Sequence, residues 1–267
     1  MKQYLSFFKL KFTVGLQYRA AALAGLCTQL FFGFVFILIY TAFYKSGVAN
    51  PSMSLKELTT YLWLNQTFYA LIYIYHKDNE IINMIKKGDI AYELCRPQNL
   101  YFMWFLRVFS TKLSSVSLRC LPIVVISMLL PEPYNLSLPL SISSFLFFVV
   151  ILFLSSILIS SLITLLYVLC FYTIDTKGTM SIFCGIADIL SGQTVPLPLF
   201  PRAMQLIAEL LPFAYISDFA FRVYSGNIRG LSVLKGLSIE LFWLVFTILI
   251  GLYFSSKIVK KVSVQGG

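Results

Sequence analysis

Charge is what this sequence lacks most. Only 12% of its 267 residues are Asp, Glu, Lys or Arg, about half the share of a soluble domain. With 58% apolar residues and a mean hydropathy of +0.82, that shortage excludes a soluble enzyme, a disordered chain and a nucleic-acid-binding domain. Acidic residues are scarcest, eleven against 21 Lys and Arg. One histidine, His76, leaves no histidine-based metal site in a single chain. Cys27, Cys95, Cys120, Cys170 and Cys184 are scattered without a C-x-x-C pair, which argues against a disulfide framework or a zinc site. No G-x-x-x-x-G-K-[ST] run exists to cradle a triphosphate, and no H-E-x-x-H to hold a catalytic metal.

What is present is a series of long uncharged runs. A helix rising 1.5 Å per residue needs about 20 residues to cross about 30 Å of hydrocarbon. The runs predict an all-α, polytopic membrane protein forming a single domain over residues 1–267. Six transmembrane helices fit, near 20–44, 58–75, 108–130, 143–172, 178–199 and 237–254. The fifth is interrupted by Pro196, Pro198 and Pro201. Orientation follows from Lys and Arg, which favour cytoplasmic loops. With the N-terminus inside, thirteen fall inside: Lys2, Lys9, Lys11, Arg19, Lys77, Lys86, Lys87, Arg96, Arg107, Lys177, Lys257, Lys260 and Lys261. Six fall outside: Lys45, Lys56, Arg202, Arg222, Arg229 and Lys235. Both termini are therefore expected in the cytoplasm. Four of the six outer charges crowd between spans five and six, an excess that needs its own explanation.

The first nineteen residues lack the pattern of a cleavable signal peptide. Leu5, Phe8, Phe12 and Leu16 share a helical face, which predicts an interfacial helix with snorkelling basic residues.

The longest polar stretch, His76 to Arg107, lies inside. Ile81, Met84 and Ile85 fall on one face of a short helix, with Glu80, Lys86 and Lys87 elsewhere. Gly88 suits a left-handed helix stop, and Asp89 can cap a second turn that must end before Pro97. Such a knuckle, flanked by Glu93 and Arg96, can dock into a groove on another protein, or it can be an ordinary solvated loop.

The run from Lys87 to Asn99, KGDIAYELCRPQN, resembles the cytoplasmic signature of the bacterial type-2 ATP-binding-cassette (ABC-2) exporter permeases. Ser191 to Pro201, SGQTVPLPLFP, followed by Leu211-Pro212-Phe213, is similar to their broken fifth helix and the re-entrant segment after it. Ala214 to Phe221 carry no proline, where the family pattern places one. The resemblance implies a multi-pass permease of the bacterial cytoplasmic membrane, not itself an enzyme. It would work with two nucleotide-binding ATPase subunits, which would hold ATP and Mg, and with a second permease chain, identical or homologous. The knuckle would be the coupling helix, with Ile81, Met84, Ile85, Lys86, Gly88, Asp89, Glu93 and Arg96 meeting the ATPase. Gln193, Pro196, Pro198, Pro201, Pro212 and Phe213 would form an outer gate.

Charges inside spans are expensive and usually paired or cavity-lining. Lys112 and Arg119 lie seven apart on one side of span three. Lys112 can snorkel to headgroups. Arg119 is deeper: either it pairs with Asp188 in span five or it lines a pathway that meets an anionic or zwitterionic substrate. Beyond the break, Glu209 and Asp218 can neutralise Arg202 and Arg222, and Tyr215 and Tyr224 can anchor a lid at the interface. Ser155-Ser156 and Ser160-Ser161 suit close helix packing, the phenylalanine-rich runs 31–36 and 145–148 suit lipid or packing, and Asn65-Gln66-Thr67 lies too deep in a span to be glycosylated. Two other functions compete. An ion-coupled secondary transporter of amphipathic compounds would use Asp188. An intramembrane aspartyl protease would need a second membrane aspartate.

Overall fold

The computed structural model describes residues 2–47, 52–75, 78–87, 93, 98–173 and 176–261. Gly88, Asp89 and Arg96 of the expected knuckle lie outside the described residues. Among the described residues, ten α-helices and two 3-10 turns are delimited and no strand occurs. The helices are α1 (Lys2–Leu16), α2 (Arg19–Lys45), α3 (Leu55–Ile72), α4 (Asn79–Lys87), α5 (Leu100–Met128), α6 (Ile142–Thr173), α7 (Thr176–Leu190), α8 (Arg202–Leu210), α9 (Asp218–Ser225) and α10 (Leu231–Lys261).

Helix starts are set by short polar side chains. Ser54 and Glu57 close a capping box on α3, Asn99 Oδ1 accepts from the Phe102 N–H at 3.2 Å on α5, and Asp78 Oδ1 accepts from the Glu80 and Ile81 N–H groups ahead of α4.

Among the described residues, four helices are long and apolar enough to cross a membrane: α2, α5, α6 and the Leu231–Ile258 part of α10. The other two expected spans differ from that description for separate reasons. α3 is buried without interruption from Leu58 to Thr67, so it sits inside the bundle, where Thr59, Thr60, Asn65, Gln66 and Thr67 face protein instead of lipid. That placement tolerates the polar residues that lower its hydropathy. α7 stops at Leu190, earlier than the prolines suggested, because Gly192 takes the left-handed conformation at φ +78° before Pro196 is reached. Fifteen residues rise about 22 Å, short of a full crossing.

Long α6 runs beside α10 and also touches α9, α5 and α7, while α3 packs on α5 and α2. Buried Ser155, Ser156, Ser160 and Ser161 line the inner side of α6, and the Ser161 and Thr247 hydroxyls meet at 2.9 Å between α6 and α10. Phe31, Phe32 and Phe34 of α2 and Phe145 of α6 are exposed, whereas Phe148 is core. α1 lies along α5 through Tyr4 on Phe102 and Phe8 on Phe109; Leu5 points away, so the packed face is rotated from the one expected.

Contacts gather at two poles. At one, Lys56 pairs with Glu132, Tyr224 bonds the Ser137 carbonyl, and Ser52 bonds the Pro198 carbonyl. At the other, Tyr4 meets Asn99, Arg107 pairs with Asp78 and Glu80, and Tyr167 bonds the Asp78 N–H.

Candidate functional site: a broken helix between two polar cavities

The chain between α7 and α8 leaves backbone groups without helical partners, and where buried these must be satisfied by protein or water. Side chains of α3 and α9 do this. The Tyr61 hydroxyl lies 3.0 Å from the Gly192 carbonyl and 2.9 Å from Asp218 Oδ1, its single proton shared between them. Asp218 Oδ1 also accepts from the Leu197 N–H at 3.2 Å, and Ser217 Oγ donates to the Ser191 carbonyl. Asn65 Nδ2 donates to the Gln193 carbonyl at 2.8 Å, and Gln193 Nε2 donates in turn to the Ile72 carbonyl at 2.6 Å. A Cβ on Gly192 would lie 2.6 Å from the Tyr61 hydroxyl, so only glycine permits this approach.

Asp218 is 1% exposed. Burial pushes its carboxyl up from the usual range; Arg222, Tyr61 and the Leu197 N–H oppose that push. Arg222 Nη1 stands 3.4 Å from both Asp218 Oδ2 and Glu209 Oε1, so both expected acids serve one arginine. Arg202 instead meets Gln205 Oε1 at 3.1 Å. This corrects the expected two-by-two neutralisation: α9 carries Asp218 and Arg222 four apart, on one face of the same helix. Tyr215 and Tyr224 are also corrected. Both are 5% exposed and bond backbone carbonyls, of Glu209 and Ser137, instead of standing at an interface.

Of the expected gate residues, Gln193, Pro196 and Pro198 lie in the break, with Gln193 bonded to α3 and Pro198 in a 3-10 turn over Leu197–Leu199 whose Leu197 N–H reaches Asp218. Pro201 caps α8. Pro212 and Phe213 begin the second 3-10 turn, Pro212–Ile216, with the Phe213 ring 5.6 Å from Phe183 of α7.

Arg119 and Asp188 do not meet. The Arg119 guanidinium lies over α2, with Nη2 3.4 Å from the Ala21 carbonyl, and a Cβ on Gly25 would come within 2.4 Å of it. Glycine on α2 thus leaves the space that the Arg119 guanidinium fills. Asp188 Oδ1 is buried without a hydrogen-bond partner. Arg119 lines a cavity of about 400 Å³ with Lys11, Asp78, Glu80, Arg107 and Ser114, between α1, α2 and α5. Lys112 does not snorkel. It is 3% exposed and donates to the Leu71 and Tyr73 carbonyls at 3.0 and 2.6 Å, capping the C-terminus of α3, where its charge suits the helix dipole.

The knuckle face is also reassigned. Ile81 is fully buried in the chain's own core and Met84 and Ile85 pack against it. Asn79, Glu80, Asn83, Lys86 and Lys87 form the exposed side of α4. Glu93 Oε2 accepts from Trp104 Nε1 at 3.1 Å.

Sequence reasoning missed Tyr61 and Asn65, whose signal is two polar groups four apart on one face of an apolar run. It also missed Glu240, which is fully buried in α10 with Oε1 2.9 Å from Ser155 Oγ.

Long apolar helices, with a buried helix carrying polar side chains among them and a helix break closed by those side chains, define a multi-pass helical membrane protein. A family model described as ABC-2 family transporter protein matches residues 28–266, and the chain belongs to that family. A search of curated proteins gives no match to the chain.

Proposed function

We propose that this chain is the transmembrane permease subunit of an ATP-driven exporter. It works with two nucleotide-binding subunits that hold ATP and Mg, and with a second permease chain. In this reading α3 crosses inside the bundle, α7 and the break after it complete a sixth crossing, and both termini are cytoplasmic. The observation that carries it is how α4 is fastened. Asp78, just ahead of its N-terminus, pairs with Arg107 of α5, and its N–H donates to the Tyr167 hydroxyl of α6 at 2.9 Å. Glu80 pairs with Arg107 and stands 3.9 Å from Lys11 of α1. Buried Ile81 completes the joint. A displacement of α4 by a partner is thereby passed to three helices, while Asn83, Lys86 and Lys87 remain free to meet that partner. The Arg119 cavity is the inner end of the substrate path, suited to anionic or zwitterionic amphiphiles.

The test is charge reversal on the exposed side of α4, because it adds repulsion as well as removing attraction. Lys86→Glu with Lys87→Glu is expected to abolish co-purification of the ATPase while membrane insertion and thermal unfolding stay unchanged. Full ATPase retention with unchanged export rules out α4 as the coupling contact. Glu93→Lys is a poorer probe, since it strips Trp104 of its acceptor. A second reading, an ion-coupled secondary transporter, draws on the partnerless Asp188 Oδ1. It predicts transport that continues when ATP is depleted and the ion gradient is kept.

A further inference from the structure

The basic residues between α7 and α10 are in excess of what the Asp218–Arg222 pair needs, and they converge. A cavity of about 640 Å³ opens between α8, α9 and the start of α10, with Arg202, Arg222, Arg229 and Lys235 in its lining against only Glu209 and Asp218. Both carboxylates are spent on Arg222. Arg202 has only the neutral Gln205 amide, Arg229 Nε donates to the Gly226 carbonyl at 2.5 Å, and Lys235 has no acidic partner among the described residues. Three cationic groups from three different parts of the chain thus border one hollow. The hollow is not wholly polar: Leu206, Leu210, Phe219 and Ile239 complete it, and Leu206 and Leu210 are exposed along its edge.

We propose that this cavity binds a phosphate-bearing amphiphile, a phospholipid whose anionic headgroup meets Arg202, Arg229 and Lys235 and whose chains lie along Leu206 and Leu210. Two arginines suit a phosphate because their planar forks match its oxygens in pairs. The apolar edge suits a ligand that stays in the membrane. The site also accounts for basic charge on the side where such charge is scarce: three of the four residues in that excess are held there by a ligand. The leaflet concerned rests on the topology proposed above. The binding chemistry does not, and it needs neither ATP nor a partner subunit.

The three tryptophans supply a reporter. Trp63 and Trp104 are 0% and 2% exposed, whereas Trp243 is less buried and donates from Nε1 to the carbonyl of Leu210, at the cavity edge. The chain in lipid nanodiscs would be titrated with phosphatidylglycerol brominated on its acyl chains and, separately, with identically brominated phosphatidylcholine. Three basic contacts predict a preference for the anionic lipid on the order of a hundredfold at low salt. Neutralising one, by Arg229→Gln or Lys235→Gln, is expected to cost about fivefold. Glu209→Gln removes a competing carboxylate and is expected to move the preference the other way, so a loss of folding cannot imitate both results. Equal quenching by the two lipids overturns the proposal. Displacement of the anionic lipid by millimolar inorganic phosphate shows a site for a free anion and overturns the lipid assignment. Failure of ATP-driven export with the lipid preference intact sinks the exporter reading alone.

Discussion

Arg119 and Asp188 show how a single residue is reassigned by its neighbours. Both are ionisable groups on apolar helices, where charges tend to pair. The space above Gly25 instead receives the guanidinium of Arg119, and Asp188 is left to α7. Pair partners couple in double mutants, whereas sites that share no contact add within about 0.5 kcal/mol. Arg119→Ala and Asp188→Ala are therefore expected to be additive in thermal unfolding of the detergent-purified chain. A deficit of more than about 1 kcal/mol in the double variant would restore the ion pair. Lys112 differs again. Its ammonium closes the end of α3, so its charge serves the fold, whereas Arg119 lines a cavity and is the one of the two that the proposed substrate path would use.

At the scale of elements, the break after α7 is held by α3 and α9 and not by its own prolines. Tyr61→Phe deletes the donor shared by the Gly192 carbonyl and Asp218, and a buried acceptor left unsatisfied costs about 1–3 kcal/mol. A lower unfolding temperature is expected, with Thr194→Ala, exposed in the same segment, as the unaffected control. Equal stability of Tyr61→Phe and the parent would show that water replaces the hydroxyl. Helices α2, α5, α6 and α10 were legible in the sequence because each carries an apolar run of spanning length, and length alone then marks them. The break was legible from Gly192 to Pro201, because a glycine followed by three prolines cannot continue a helix. What was not legible was partnership. Ile81, Met84 and Ile85 read as an amphipathic face, but periodicity cannot tell whether the surface that covers such a face belongs to the same chain or another. Tyr61 and Asn65 lie far from Asp218 in sequence, and only the fold brings them to one segment.

For the whole molecule, the two poles decide how many times the chain crosses. Ser52 and Lys56 at the start of α3 stand with Glu132, Ser137 and Pro198, while Asp78, just beyond its end, stands with Arg107 and Tyr167. α3 therefore runs from one pole to the other, buried or not. α7 leaves Thr173 at its start, where Thr173 and Thr179 hydroxyls meet at 2.9 Å, and the break carries the chain on to Pro198 at the opposite pole. If the membrane lies between the poles, six crossings result, and the ends of α2 and α4 fall on opposite sides. With α3 confined to one side there would be four or five, and those ends would share a side. Single cysteines placed in a cysteine-free background distinguish the cases. Ser46→Cys and Ser232→Cys are expected to react with a membrane-impermeant maleimide on intact cells, and Lys86→Cys and Ser256→Cys only after permeabilisation; all four positions are exposed. Labelling of Ser46→Cys and Lys86→Cys from the same side would remove α3 from the membrane. The coupling role of α4 would then fall as well, because a partner ATPase in the cytoplasm needs α4 on its own side.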